Sequence, residues 1–180
     1  MEAMLALVAE HGLEKTSLSM VAEQIGISKP AIYYYFPSKE SLVDYIFDEL
    51  LGERHFAESF PLDRYTKQNF RKRLVQDGLH VIEQYISHPA RLRVVNEFVL
   101  SASRKDKHRT RLREVLQSSL DGFTGVLNHG VKLGAVTPGR TAENARMLAL
   151  VIDGIGGYLL IGVEFDYAKT WEQAVIHATQ

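Results

Sequence analysis

Apolar residues recur at intervals of three and four along most of this chain, and no stretch alternates apolar and polar positions between hairpin turns. The pattern predicts an all-α protein of about nine helices. The first runs to about His11, with Leu5, Val8 and Ala9 on one side and Gly12 as its C-terminal cap. Residues 16–42 are punctuated as three short helices. Ser17 caps one, Gly26 supplies a sharp turn, and Ser28 or Lys29 opens the next, with Pro30 in its first turn where a missing N–H is harmless. Pro37 stops that helix, and Ser38 caps a longer one carrying Leu42, Ile46 and Leu50.

Beyond Phe60-Pro61 the inner stripe of a further helix is Phe70, Leu74, Gly78, Val81 or Ile82, and Tyr85, ending at His88-Pro89. The next places Leu92, Val95, Val99 and Ala102 inward. The charged stretch Arg104 to Arg113 leads into a long helix with Leu112, Leu116, Leu120, Phe123, Leu127 and Val131, stopped by Gly134 and Thr137-Pro-Gly139. Thr141 caps a helix from Ala142 to about Val163, and a last helix carries Trp171, Val175 and Ala178. The punctuation divides the chain into residues 1–50, a helix-turn-helix module, and 51–180, a helical domain.

Two sites are expected in the second part. Tyr85, Phe98, Leu116, Phe123 and Tyr158 are large side chains from four helices that must pack together, which predicts an apolar effector pocket. Asn96, Glu97 and Asp153 are polar positions near apolar faces that either orient a ligand there or are simply exposed. From Met147 to Val163 the sequence is apolar all round, so that helix must be covered on every side. A two-fold homodimer through Ala149, Ile152, Leu160, Trp171 and Val175 would cover it, and Gly154 and Gly157 would let backbones approach.

Composition narrows the chemistry. The 180 residues contain no cysteine, which excludes disulfides, thiolate metal sites and cysteine nucleophiles and suits a cytoplasmic location. Met147 to Val163 is 17 residues long and carries Asp153 and four glycines, so no membrane span is expected. His80 with Glu83 is the one histidine pairing at metal-ligand helical spacing, and no metal site is expected from it. The glycines of Gly154-Ile-Gly-Gly157 follow no strand, so they are no dinucleotide fingerprint, and no serine, histidine and acid grouping has a nucleophile context. Neither a cofactor nor a catalytic residue is expected.

Charge complicates the nucleic-acid reading. The net charge is -1, but residues 1–50 hold three lysines and eight carboxylates, whereas residues 64–115 hold 13 basic and five acidic residues. A DNA-binding module is ordinarily basic. The stretch Arg104 to Arg113 is either a solvated loop and helix start, or a source of positive potential for an anionic effector or for the acidic DNA-binding end.

A helix-turn-helix needs a small residue where its helices touch, a glycine-containing turn, and a second helix able to enter the major groove. Ala22, Gly26 and residues 29–36 supply these, with Val21, Ile25, Ile27, Ile32 and Phe36 as the apolar seam. Pro30 and Tyr34 then point away from the seam, flanked by Lys29 and Tyr33. The competing reading of Tyr33 to Phe36 is a buried aromatic cluster. The run Ile32-Tyr-Tyr-Tyr-Phe-Pro-Ser-Lys-Glu-Ser-Leu42 resembles the segment that closes the DNA-binding domain of the TetR family of bacterial regulators, and Thr16 to Ser28 fits that domain's first half. Pro89 to Phe98 is similar to a segment in BetI-like members.

The resemblance implies that Thr16, Ser17 and Lys39 hold phosphates and that Ser28, Lys29, Ala31, Tyr33 and Tyr34 lie along the groove. It further implies double-stranded operator DNA and a small-molecule effector as partners. Two departures stand out: basic residues usual ahead of the first helix are absent, and Pro30 replaces a glycine or small polar residue. The function expected is a homodimeric repressor released by its effector. The alternative is a helical ligand-binding or adaptor protein that has lost DNA binding.

Overall fold

A computed structural model describes the backbone of residues 1–51 and 54–180, and the side chains of all but residues 52–55. The described residues form ten α-helices and one 3-10 turn, with no strand among them. They are α1 (Glu2–Lys15), α2 (Leu18–Ile25), α3 (Lys29–Tyr35), α4 (Lys39–Leu51), α5 (Arg54–Ser59), α6 (Phe70–Ser87), α7 (Pro89–Ala102), α8 (Asp106–Lys132), α9 (Thr141–Ile161) and α10 (Tyr167–Ala178). Two compact units result: Met1–Gly52 with Pro89–Arg113, and Glu53–His88 with Glu114–Gln180. The chain thus returns residues 89–113 to the unit that holds the helix-turn-helix.

In the first unit α7 packs on α1 and α4. Leu5, Val8 and Leu13 of α1, Ile46 and Phe47 of α4, and Val94, Phe98 and Ala102 of α7 are buried. Phe98 meets Phe47 edge to face, with ring centroids 4.9 Å apart. The inner stripe of α7 is therefore Val94, Phe98 and Ala102, not the expected Leu92, Val95 and Val99; Val99 is 47% exposed. Apolar residues occur on more than one face of this helix, and the aromatic contact with Phe47 selects which face turns inward.

Gly12 breaks α1. Its φ of 80° with ψ of 159° lies in a region open essentially to glycine alone. The break frees the Leu13 N–H, which donates to Glu97 Oε2 at 2.9 Å, and a Cβ on Gly12 would lie 3.0 Å from that same oxygen. Glu97, a polar position on α7, is thus a cap for the end of α1.

The second unit is built on an aromatic core. Phe123 is flanked by Phe56, Phe60 and Trp171, and the indole Nε1 of Trp171 donates to the Val75 carbonyl at 3.1 Å. Gly78 is what lets Trp171 reach α6: a Cβ there would fall 2.0 Å from the indole ring. Tyr65 donates to Asp77 at 2.7 Å, and Arg73 pairs with the same buried carboxylate at 2.9 Å. Helix α9 is 21 residues long, four more than the apolar run, and by length and composition alone would suffice to cross a bilayer. Its inner side, Ala145, Leu148, Ile152 and Ile155, is packed into this core.

Gly12→Ala is expected to destabilise the protein by about 1–3 kcal/mol through backbone strain. Glu97→Ala should cost about 1–3 kcal/mol by leaving the Leu13 N–H unpaired. Urea unfolding of each variant measures both, and a double variant no worse than Gly12→Ala would show that the two residues serve one junction.

Candidate nucleic-acid interface

Residues 17–41 fold as their punctuation predicts. Ser17 caps α2, its Oγ accepting from the Met20 N–H at 3.2 Å, and Ser28 caps α3 by accepting from the Ala31 N–H at 3.3 Å. Between them Gly26 adopts φ 73°, and the Ile27 N–H donates to the Ala22 carbonyl at 2.9 Å. Ser38 and Ser41 cap the start of α4 reciprocally, each Oγ accepting from the other's backbone N–H at 3.1 and 3.2 Å.

Val21, Ala22 and Ile32 are the buried contact of α2 with α3, while Phe36 is half-buried against Tyr45. Ile25 departs from the expected seam and is 40% exposed. On α3, Tyr33, Tyr34 and Tyr35 are 50%, 83% and 69% exposed. The aromatic run is therefore no core cluster. Lys29 and Ser28 are also exposed, and Ala31 is half-buried, so the side chains expected along a groove share an outward face of this one helix.

Of the residues expected on phosphates, Ser17 is half-buried at the start of α2. Thr16 is a correction: it is 2% exposed, and its hydroxyl turns inward to donate to the Gly12 carbonyl at 2.9 Å. That carbonyl also accepts from the Thr16 N–H at 3.2 Å, so Thr16 closes the last turn of α1 with both its backbone and its side chain. Lys39 is half-buried and its Nζ donates to the Glu14 carbonyl; an ammonium has two further N–H groups to offer.

The acidity of the first fifty residues is answered within the same unit. Lys107 pairs with Glu40 at 2.7 Å and Asp44 at 3.0 Å, and Arg111 pairs with Asp44 at 2.6 Å and with Asp48. The Arg111 guanidinium also lies 4.3 Å from the centre of the Phe47 ring. Those two carboxylates hold the Lys107 pKa above its ordinary value. Across the whole unit eleven basic residues face ten acidic ones, so the reading head is close to neutral. The signal was present in the sequence as two matched ladders at four-residue spacing, Glu40, Asp44, Asp48 and Lys107, Arg111. Their pairing was not visible there because more than sixty residues separate them.

The residues expected in the effector pocket are divided between the two units. Asn96 and Phe98 belong to the first unit, where Phe98 is buried on Phe47; Tyr85, Leu116, Phe123, Asp153 and Tyr158 belong to the second. Phe123 is fully buried against Phe56, Phe60 and Trp171, and Leu116 and Tyr158 are 46% and 50% exposed. The expected dimer interface is corrected in the same way. Ala149, Ile152, Trp171 and Val175 are at most 3% exposed inside their own unit, and Leu160 is half-buried. The open side of α9 instead carries Leu150 at 72% and Ile161 at 73% exposure, beside Gly154 and Gly157, where a Cβ would meet nothing within 4 Å.

Residues 1–46 match the family described as bacterial regulatory proteins of the tetR family. The chain is 27% identical over 150 residues to the fatty acid metabolism regulator protein of Bacillus subtilis, covering 82% of this chain and 74% of the relative. Among solved structures, a TetR transcription regulator from Haloarcula marismortui superposes with a TM-score of 0.75 at 19% identity, over 99% of this chain and 93% of that one. SmeT, solved as a complex with triclosan, gives a TM-score of 0.78 at 17% identity, over 98% of this chain and 86% of that one. A helix-turn-helix that presents its second helix outward, the family match over that segment and the likeness to a regulator protein along most of the chain lead to one conclusion: residues 1–46 are a DNA-binding module of the kind found in bacterial regulatory proteins of the tetR family, and the protein is a DNA-binding transcriptional regulator.

Proposed function

We propose that the protein is a homodimeric repressor that reads a near-palindromic operator through α3 and leaves it when an apolar small molecule binds the second unit. The observation that carries the reading is the outward face of α3, where Tyr33 and Tyr34 are exposed beside Lys29. An exposed tyrosine can meet a thymine methyl, and Lys29 is the strong donor on this helix able to reach a guanine. Ser17 and Lys39 bracket the motif and would hold phosphates. Two copies are needed because one seven-residue helix spans too few base pairs, and half-sites one helical turn apart, about 34 Å, require a two-fold partner.

For the dimer we assign the open side of α9, with Leu150, Gly154, Gly157 and Ile161 replacing the buried residues that the sequence suggested. For the effector, Tyr85 and Asp153 are the polar groups that best suit a recognition role. Desolvation by the surrounding protein raises the Asp153 carboxyl to about 6 although the residue keeps an exposed edge, and desolvation and then Asp153 raise the hydroxyl of the half-buried Tyr85. Among the described residues neither group has a hydrogen-bond partner, which leaves both available to a ligand. The fatty acid metabolism named for the Bacillus subtilis relative and the triclosan bound by SmeT support an apolar effector. Binding that favours a different spacing of the two recognition helices would release the operator by linkage.

Selection from random duplexes should recover a near-palindromic sequence. Tyr33→Ala or Lys29→Ala should weaken it by about 1–3 kcal/mol at the affected base pair and relax the preference there. Failure to enrich any sequence would refute the reading. Sedimentation should give a dimer that Leu150→Arg with Ile161→Arg converts to monomer; a dimer undisturbed by both changes places the interface elsewhere.

The Asp153 carboxyl gives a pH signature. Its folded pKa of about 6 lies above its ordinary value of 3.8, so the folded state holds the proton more tightly. The resulting stability is fully present below about pH 4 and is lost as pH rises through about 6. Asp153→Asn should therefore raise the melting temperature at pH 7.5 and leave it nearly unchanged at pH 4; equal shifts at both values would contradict the assignment.

A further inference from the structure

We propose that Lys105, on the turn between α7 and α8, shares one DNA backbone phosphate with Lys39 in an open recess beside the helix-turn-helix. The proposal rests on the DNA-binding reading above and extends its contact surface beyond the motif. The recess has a volume of about 530 Å³, with the buried side chains of Leu13, Val43 and His108 on its inner wall and Lys39, Lys105 and Lys107 among its charged residues. All of these belong to the first unit.

Its place in the chain points to a backbone contact. Leu13 and Glu14 lie just ahead of Ser17, which caps α2, and Lys39 opens α4 directly after α3. The recess therefore lies where the chain enters and leaves the reading motif, the positions at which a helix-turn-helix meets phosphates.

The charges are arranged for an anion. Two carboxylates, Glu14 and Glu40, also line the recess, but Glu40 is already matched by Lys107 at 2.7 Å. Lys39 has given one N–H to a carbonyl and keeps two. Lys105 is exposed and has no carboxylate partner among the described residues. Its charge is felt inside: burial lowers the His108 pKa, and Lys105 lowers it next most. His108 Nδ1 is hydrogen-bonded with Ser101 Oγ at 2.6 Å. With Glu40 set against Lys107, Lys39 and Lys105 remain with five unused donors against the single carboxylate of Glu14, and a phosphate is the group of DNA that suits this net positive space in charge and size.

The test is fluorescence anisotropy of the full chain on the duplex recovered by selection, from 50 to 300 mM salt. Lys105→Ala should make the slope of log K against log salt shallower by about 0.9 and weaken binding about eightfold at 0.1 M salt, with the same sequence preference. Lys105→Arg should retain the wild-type slope. Lys39→Ala with Lys105→Ala should lose less than the product of the two single losses, because both lysines serve one phosphate. Melting temperatures of the variants confirm that each is folded. An unchanged slope in Lys105→Ala, an equal loss in Arg93→Ala on the exposed side of α7, or losses that multiply would each overturn the proposal. If the wild-type chain enriches no duplex, the DNA reading falls and this inference with it. A selected duplex that Lys105→Ala binds like the wild type removes this inference alone.

Discussion

The interlocking of α4 with the start of α8 is the constraint that makes the first unit a plausible partner for DNA. Glu40, Asp44 and Asp48 form an acidic ladder on the helix that follows the recognition helix, and a polyanion would be repelled by it. Lys107 and Arg111 occupy that ladder from the other end of the unit. Surface ion pairs of this kind add little to stability, and a guanidinium over a buried ring contributes up to about 2 kcal/mol. Burying a phenylalanine such as Phe47 or Phe98 contributes about 1.5–3 kcal/mol. The apolar contact therefore holds α4 and α7 together, and the ion pairs set the register of α8 on α4 and cancel the field that would oppose binding.

The same unit shows why a helix can be broken without losing the fold. Gly12 takes a conformation closed to other residues; the Leu13 N–H is given a partner in Glu97, and the Gly12 carbonyl is held by both the backbone N–H and the hydroxyl of Thr16. Unpaired buried polar groups cost about 1–3 kcal/mol each, comparable to the backbone strain itself. Thr16 is consequently spent on structure, and the phosphate-facing role falls to Ser17 and Lys39. In the second unit Gly78 serves a different need, close approach, since the indole of Trp171 occupies the space a side chain would take.

Much of the reading head was legible in the sequence. Ser17, Gly26, Ser28, Pro30, Pro37 and Ser38 each act through their own backbone or through residues three positions away, so local sequence suffices to place α2, α3 and the start of α4. The outward face of α3 follows from Ile32 at its buried contact. The effector and dimer residues were less legible. Helix α9 is apolar on nearly every side, so composition cannot say whether Ile152 or Leu150 faces the core, and the large residues chosen for a pocket were chosen for size alone.

By itself, the sequence determined the all-helical class, the helix-turn-helix and the family it resembles, because each rests on helical periodicity and on caps and turns that act within a few residues. Only the tertiary structure decided which face of α7 and α9 is buried, that Thr16 turns inward, and that residues 89–113 join the amino-terminal unit and neutralise it. Those outcomes depend on contacts between residues distant in the chain, such as Phe47 with Phe98, Gly78 with Trp171 and Asp44 with Arg111. Many registers satisfy the same one-dimensional pattern, and close packing with charge pairing selects among them.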